Sequence, residues 1–175
     1  MEYLKESRHR YLPKLFWKKG FRVGAEIGVS RGRYDRLLCQ QIPKLKLYCV
    51  DPWLAYDDGY IKVDQPTQDS NYLVALERLK GLNYEIIKLP SMEAVKKFAD
   101  GSLDFVFIDG NHDVEHALED YIQWSKKVRS GGIVSGHDFN MPTVREAVLT
   151  WAKVNNINNL TILTNNKAIT WMWIK

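Results

Sequence analysis

The sequence predicts an α/β chain built on a mainly parallel sheet. Short β-rich runs alternate with amphipathic stretches of 8 to 15 residues, which is the pattern of βαβ units. The last two β-like runs, "LTILT" and "AITWMWI", are separated only by "NNK", a turn signal. They should form a hairpin that brings one antiparallel strand into the sheet. At 175 residues the chain suits one domain, 1–175, with room for a real core.

Each element has its own justification. The first 19 residues set Leu4, Tyr11, Leu12, Leu15 and Phe16 near helical spacing with Pro13 interrupting, so one or two short helices should end at Gly20. "RVGAEIGV" reads as a buried strand entering a turn, and "RYDRLLCQQ" at 33–41 as a helix stopped by Pro43. "KLYCVD", "YEIIKL", "DFVFID" and "GGIVSGHD" are the next four strands. Helical patterns fill 71–80, 92–98, 113–127 and 142–154. One long irregular segment remains, "DPWLAYDDGYIKVDQPTQDS" at 51–70. A loop of this length in a compact domain is usually functional or disordered, and Trp53, Tyr56 and Tyr60 argue for a wall or lid over a site.

Composition excludes several classes. Hydrophobic residues at 45% and charged residues at 26% are ordinary for a soluble globular protein. No apolar run approaches the ~20 residues of a membrane helix. The basic N-terminus lacks the apolar centre of a secretory signal, so the expected location is the cytoplasm, away from membranes. Cys39 and Cys49 have neither the number nor the spacing of a disulfide framework or zinc site, and Cys49 reads as a small core residue. Seven of the 25 basic residues fall within the first 22 positions. With a net charge of only +4, a solvated helix face accounts for them better than nucleic-acid binding does.

In an open α/β sheet, ligands bind beyond the carboxyl ends of the strands. Strand one ends "AEIGVSRGRYD". Gly28 and Gly32 permit a tight turn, and the following helix N-terminus offers unpaired N–H groups. The E-x-G-x-x-x-G spacing is neither a dinucleotide fingerprint nor a P-loop, and Glu26 would repel phosphates but suits an amino group. Strand two ends in Asp51, placed to accept from both hydroxyls of a ribose or, alternatively, to cap a turn. Trp53 reads equally as a cover for a flat base or as a core aromatic. Strand three ends "KLPSMEAVKKF", where Ser91 can cap a helix while Ser91 and Met92 border an adenine.

Strands four and five end "FIDGNHD" and "SGHDFN", which brings Asp109, His112, His137 and Asp138 to one rim. Two carboxylates with imidazoles suit Mg²⁺ or Mn²⁺, and a histidine there suits a general base. On the bland reading, Asp113 caps its helix, Asp109 and Asp138 cap turns, and His112 is solvated. His9 and His116 read as surface residues, and Trp171 and Trp173 as core packing.

Taken together, "AEIGVSRGRYD", "YCVDPW", "LDFVFIDGNHDVEHALEDYIQW" and "VRSGGIVSGHDF" resemble the successive motifs of class I S-adenosylmethionine-dependent methyltransferases, most closely methyltransferase family 24, over about residues 20 to 152. The resemblance implies a Rossmann-like, seven-stranded, mostly parallel sheet with a C-terminal antiparallel hairpin and helices on both faces. It implies that Glu26, Gly28 and Gly32 line the methionine part of the cofactor, that Asp51 holds the ribose, and that Ser91 and Met92 flank the adenine. The chain is also similar to metal-dependent O-methyltransferases of the catechol type. That likeness places Asp109 and Asp138 at the metal acids and His112 where a lysine base would stand. The expected amide ligand is replaced by Phe139, with Asn140 one place late, so His137 becomes the candidate third ligand. The implied activity is methylation of a hydroxyl on a small molecule or saccharide, with His112 as base and Asp109 and His137 beside it. An N- or RNA-directed methyltransferase is disfavoured because "DGNHD" stands where an acid/N-P-P-aromatic run would be. A non-catalytic cofactor-binding module and a homo-oligomer both stay open.

Overall fold

The computed structural model describes residues 1–57, 59–165, 167 and 169–175; Asp58 of the expected loop, Asn166 of the expected hairpin turn and Ala168 at the start of the expected last strand lie outside them. The elements run β1 (Glu2–Leu4), α1 (Arg8–Lys18), β2 (Val23–Ile27), α2 (Arg33–Gln41), β3 (Lys46–Val50), β4 (Tyr56–Asp57), β5 (Lys62–Val63), α3 (Gln65–Leu79) and β6 (Tyr84–Ile87). They continue with α4 (Ser91–Ala94), which tightens into a 3₁₀ turn (Val95–Lys97), then β7 (Leu103–Ile108), α5 (Val114–Lys127), β8 (Val128–Gly136), α6 (Pro142–Val154), β9 (Thr161–Leu163) and β10 (Thr170–Ile174).

The main sheet has the order β1-β9-β10-β8-β7-β2-β3-β6. The five strands β6, β3, β2, β7 and β8 pair in parallel, and β10 runs antiparallel to both β8 and β9. Among the described residues the sheet therefore has eight strands instead of seven. Glu2–Leu4, expected as helix, pairs in parallel with β9 at the edge. Three residues beside an open strand gain ladder hydrogen bonds that a helical turn ahead of Ser7 would not supply. Helix α1 then runs unbroken through Pro13, with Leu12 and Phe16 buried, so packing outweighs the lost backbone bond.

The parallel strands are apolar on both sides because helices cover both faces. Along β7 the side chains alternate: Val106 and Ile108 pack toward α5 and α6, while Phe105 and Phe107 pack toward α1 and α2. Trp171 and Trp173 of β10 share the α5/α6 face as expected and stack at 5.1 Å.

Two helices differ in extent from the sequence reading. The one expected at 71–80 begins at Gln65, because Asp64 accepts a bond from the Thr67 N–H and Pro66 sits in the first turn. That leaves 51–64 as the connection, folded over itself by the short antiparallel pair β4–β5. The helix expected at 92–98 becomes α4 plus the 3₁₀ turn.

At the carboxyl edge, one backbone bond locks each tip to its neighbour. The N–H of Asp51 donates to Ile87 O (3.3 Å), Gly28 to Val50 O (2.9 Å), Asp109 to Ile27 O (2.7 Å) and His137 to Ile108 O (3.0 Å). Gly28 is required by this closeness: at φ +91° an added Cβ would lie 2.0 Å from the Asp109 carbonyl oxygen. Gly32, at φ +65°, caps α2 with only ordinary contacts at 3.4 Å. Gly28→Ala should therefore cost about 2–4 kcal/mol in urea unfolding, against about 1–2 kcal/mol for Gly32→Ala, where only the backbone conformation is penalised. Equal costs would contradict the close approach of the two tips.

Candidate active site

The locked tips open onto a cavity of about 860 Å³. Glu26 and Gly28 from β2, Asp51 after β3, Ser91 and Met92 at the start of α4, and Asp109 and His112 after β7 all line it, as does Asp138 after β8. Eight of the eleven candidate residues thus border one space, while Gly32, Trp53 and His137 stand outside its lining.

Asp51 does both things its position allows. Its Oδ2 accepts from the Val29 and Ser30 N–H groups at 3.0 and 2.9 Å, and its Oδ1 accepts from the Trp53 N–H at 2.7 Å. A carboxylate has roughly four acceptor positions, so about one is left for a ligand, where the ribose reading asked for two. Burial raises its proton affinity, and the three backbone bonds oppose this.

Glu26 is 2% exposed, and its Oε2 has no hydrogen-bond partner although the residue lines the cavity. Burial, with Asp35 and Asp109 adding like charge, holds its carboxyl well above the usual range. Asp35, fully buried in the first turn of α2, is likewise pushed up by burial, to about 7. Of the two only Glu26 lines the cavity, so a cationic ligand group there would relieve the Glu26 carboxyl directly. This orphaned oxygen is what fits the residues present to a cofactor bearing an ammonium group.

Three expected roles are corrected. Trp53 is fully buried and does not reach the cavity: its ring packs on Tyr72 at 4.9 Å and its Nε1 donates to Ser30 O at 2.8 Å. With the indole tied inward, Trp53 holds the loop and cannot cover a base. Gly32 lies beside α3 and outside the lining, so it shapes the turn only. Ser91 does not cap α4; its hydroxyl donates to Asp120 Oδ1 and accepts from Trp124 Nε1 at 2.8 Å.

The tips of β7 and β8 carry a knot of charges. His137 Nδ1 lies 3.3 Å from Asp109 Oδ1 and 3.3 Å from Asp138 Oδ2, and His112 Nε2 is 3.1 Å from that same Oδ2. Arg8 of α1 reaches in over the Tyr34 and Phe107 rings to within 3.6 Å of Asp109 Oδ2. Burial disfavours a charged His137, but the bonds to Asp109 and Asp138 outweigh it and push the ring up to about 9. Burial also works against the Asp138 carboxylate, yet the two imidazoles hold it well below the usual range. Asp138 sits at φ +54°, an uncommon backbone region for an aspartate and one often found at functional positions. Asp109, His137 and Asp138 each offer one ligand atom within 4.8 Å of the others, a donor set that fits a divalent cation. Asn140 does not, because its Oδ1 accepts from the Ile169 N–H at 2.9 Å. Asp113 caps α5 by accepting from the Glu115 N–H at 2.9 Å, the bland role foreseen for it.

Sequence reasoning missed Arg8, Asp35 and Asp120. Asp35 and Asp120 carried a signal: each lies three residues before or after a buried apolar residue, Leu38 and Ala117, on an inward helix face. Burial pushes Asp120 up to about 6, partly offset by the Ser91 bond. Arg8 carried none, since only the packing of α1 turns it inward. His116, read as surface, is exposed yet borders the cavity.

A family model described as a methyltransferase domain matches residues 25–139. Among solved structures, the chain is similar to an O-methyltransferase from Bacillus cereus in complex with SAH (16% identity, TM-score 0.68, covering 98% of this chain and 82% of that one). It is also similar to TomG from Streptomyces achromogenes, an O-methyltransferase involved in tomaymycin synthesis, in complex with SAM (15%, 0.68, 96% and 79%). The cofactor-bound Rv0187 from MTB gives 19%, 0.67, 98% and 81%. No curated protein matches by sequence.

Because the folded His137 holds its proton more tightly than a free imidazole, its stabilising contribution is complete below about pH 6.5 and is lost as pH rises through about 9. Urea unfolding from pH 6.5 to 9.5 should show falling stability that is flattened in His137→Gln. Parallel curves for the two proteins would contradict the ion-paired assignment.

Proposed function

The chain belongs to the S-adenosylmethionine-dependent methyltransferase family, and on that premise we propose that it methylates a hydroxyl oxygen of a small molecule or saccharide. One observation carries this reading: Asp51, Ser91 and Met92 share a single cavity with Asp109, His112 and Asp138. A nucleoside-holding wall and an acid–imidazole wall thus face the same space.

The Asp51 carboxylate would hold a ribose hydroxyl with its remaining acceptor position, Ser91 and Met92 would border the adenine, and Glu26 would take the amino group of the methionine part. His112, oriented by Asp138 through the 3.1 Å contact, accepts the acceptor's hydroxyl proton, and Asp138 stabilises the resulting imidazolium. The oxygen lone pair then forms the new bond to the methyl carbon as the C–S bond breaks, and its electrons return to sulfur to give the neutral thioether. Holding both reactants in line supplies much of the acceleration. A divalent cation held by Asp109, His137 and Asp138 would lower the pKa of a hydroxyl placed there.

Acceptor contacts come from the 51–64 connection, through Leu54, Tyr56 and Ile61, and from Arg8 of α1. Arg8 turns into the site and not toward a basic face, which favours small acceptors over nucleic acid. We place the reaction in the cytoplasm, in keeping with two free cysteines. Among the described residues, no helix is long and apolar enough to cross a membrane.

Incubation with methyl-labelled S-adenosylmethionine and a panel of phenols and saccharides should yield a labelled ether. Cofactor binding without label transfer to any hydroxyl would contradict the reading. His112→Gln should leave S-adenosylhomocysteine affinity unchanged and lower kcat by about 10²- to 10⁴-fold, the usual contribution of a general base. Retained turnover would move the base elsewhere.

A further inference from the structure

We propose that Asp109, His137 and Asp138 form a cation site that selects a first-row transition dication such as Mn²⁺ or Co²⁺ over Mg²⁺. The inference deepens the reading of this cluster as the acceptor-activating wall and rests on it only for the cluster's role.

The donor set itself is the reason. One of the three ligand atoms within 4.8 Å of one another is an imidazole nitrogen. Mg²⁺ demands oxygen ligands in near-ideal octahedral geometry and gives up its water reluctantly, whereas imidazole suits later first-row ions. No further oxygen ligand comes from the segment after β8. Phe139 is buried and apolar, and the Asn140 amide oxygen is occupied by the Ile169 N–H at 2.9 Å.

The imidazole is also anchored. The His137 N–H donates to Ile108 O at 3.0 Å, and the His137 carbonyl accepts from Trp171 Nε1 at 3.0 Å. Its backbone is thereby fixed to the two neighbouring strands, and its Nδ1 lies 3.3 Å from both Asp109 Oδ1 and Asp138 Oδ2, so all three ligand atoms start from tips held by the sheet. His112 Nε2, at 3.1 Å from Asp138 Oδ2, acts as an outer partner that orients this carboxylate. Arg8, at 3.6 Å from Asp109 Oδ2, adds positive charge beside the site. That charge repels every dication alike, so the preference among them rests on the imidazole donor.

Titration calorimetry with CoCl₂, MnCl₂ or MgCl₂ alone, on the whole chain bound to S-adenosylhomocysteine, reads the preference directly. Co²⁺ should bind at least about tenfold more tightly than Mg²⁺, because imidazole suits Co²⁺ whereas Mg²⁺ prefers oxygen ligands. His137→Asp should cut that ratio at least about tenfold while S-adenosylhomocysteine affinity and the thermal transition hold, which shows that the variant folds. Bound Mn²⁺ should show an imidazole nitrogen coupling by electron spin echo that persists in His112→Gln and vanishes in His137→Asp. Equal Co²⁺ and Mg²⁺ affinities, no binding of any of the three ions, or a nitrogen coupling that survives His137→Asp would each overturn the proposal. Selective Co²⁺ binding without methyl transfer to any hydroxyl would support this site and sink the O-methyltransferase reading instead, so the two fail separately.

Discussion

The site depends on four backbone hydrogen bonds that lock the ends of adjacent parallel strands: Asp51 to Ile87, Gly28 to Val50, Asp109 to Ile27 and His137 to Ile108. In each, the first residue beyond a strand donates to the last apolar residue of its neighbour. Strand pairing thus runs one step past the hydrophobic core, and the side chains just past that step are fixed by the sheet and not by loop conformation. A site built on such elements is more precise than one carried by free loops. Gly28 permits the closest of these approaches, because any side chain there would collide with the Asp109 carbonyl.

The same compression places like charges together, and the protein manages them by compensation. Asp109 and Asp138 are held by the His137 ring, by Arg8 and by the His112 ring. On the cofactor side the balance is left incomplete. Glu26 keeps a buried oxygen without a partner at the cavity, beside the fully buried carboxyl of Asp35. Buried polar groups are normally satisfied, and the exceptions mark strain or a missing ligand. Of the two, only Glu26 lines the cavity, and a cationic group entering there would supply what its carboxyl lacks.

Much of this was legible in the sequence because strand period and tip chemistry are local properties. "DFVFID" announces both a strand buried on two faces and the acid that ends it, and "GGIVSGHD" does the same for β8. Helix α5, capped by Asp113, and helix α6, opened by Pro142, begin where their capping signals stand. What escaped depends on tertiary packing. Glu2–Leu4 is a strand only because β9 offers an edge, and Arg8 enters the site only because α1 docks across Phe107. Trp53 went the other way: an aromatic beside a ribose acid reads as a base cover, but its N–H found the Ser30 carbonyl and its ring found Tyr72. The Asp64–Gln65–Pro66 start signal was present and was hidden by the polar run around it.

The central claim is that one cavity holds the cofactor with its reactive end toward the acid–imidazole wall. A crystal structure of the protein with S-adenosylhomocysteine tests it most directly. The account predicts the adenosyl group between Asp51 and Met92, with the sulfur facing Asp109 and His112. A nucleoside bound outside this cavity, or a sulfur turned away from those two residues, would contradict it.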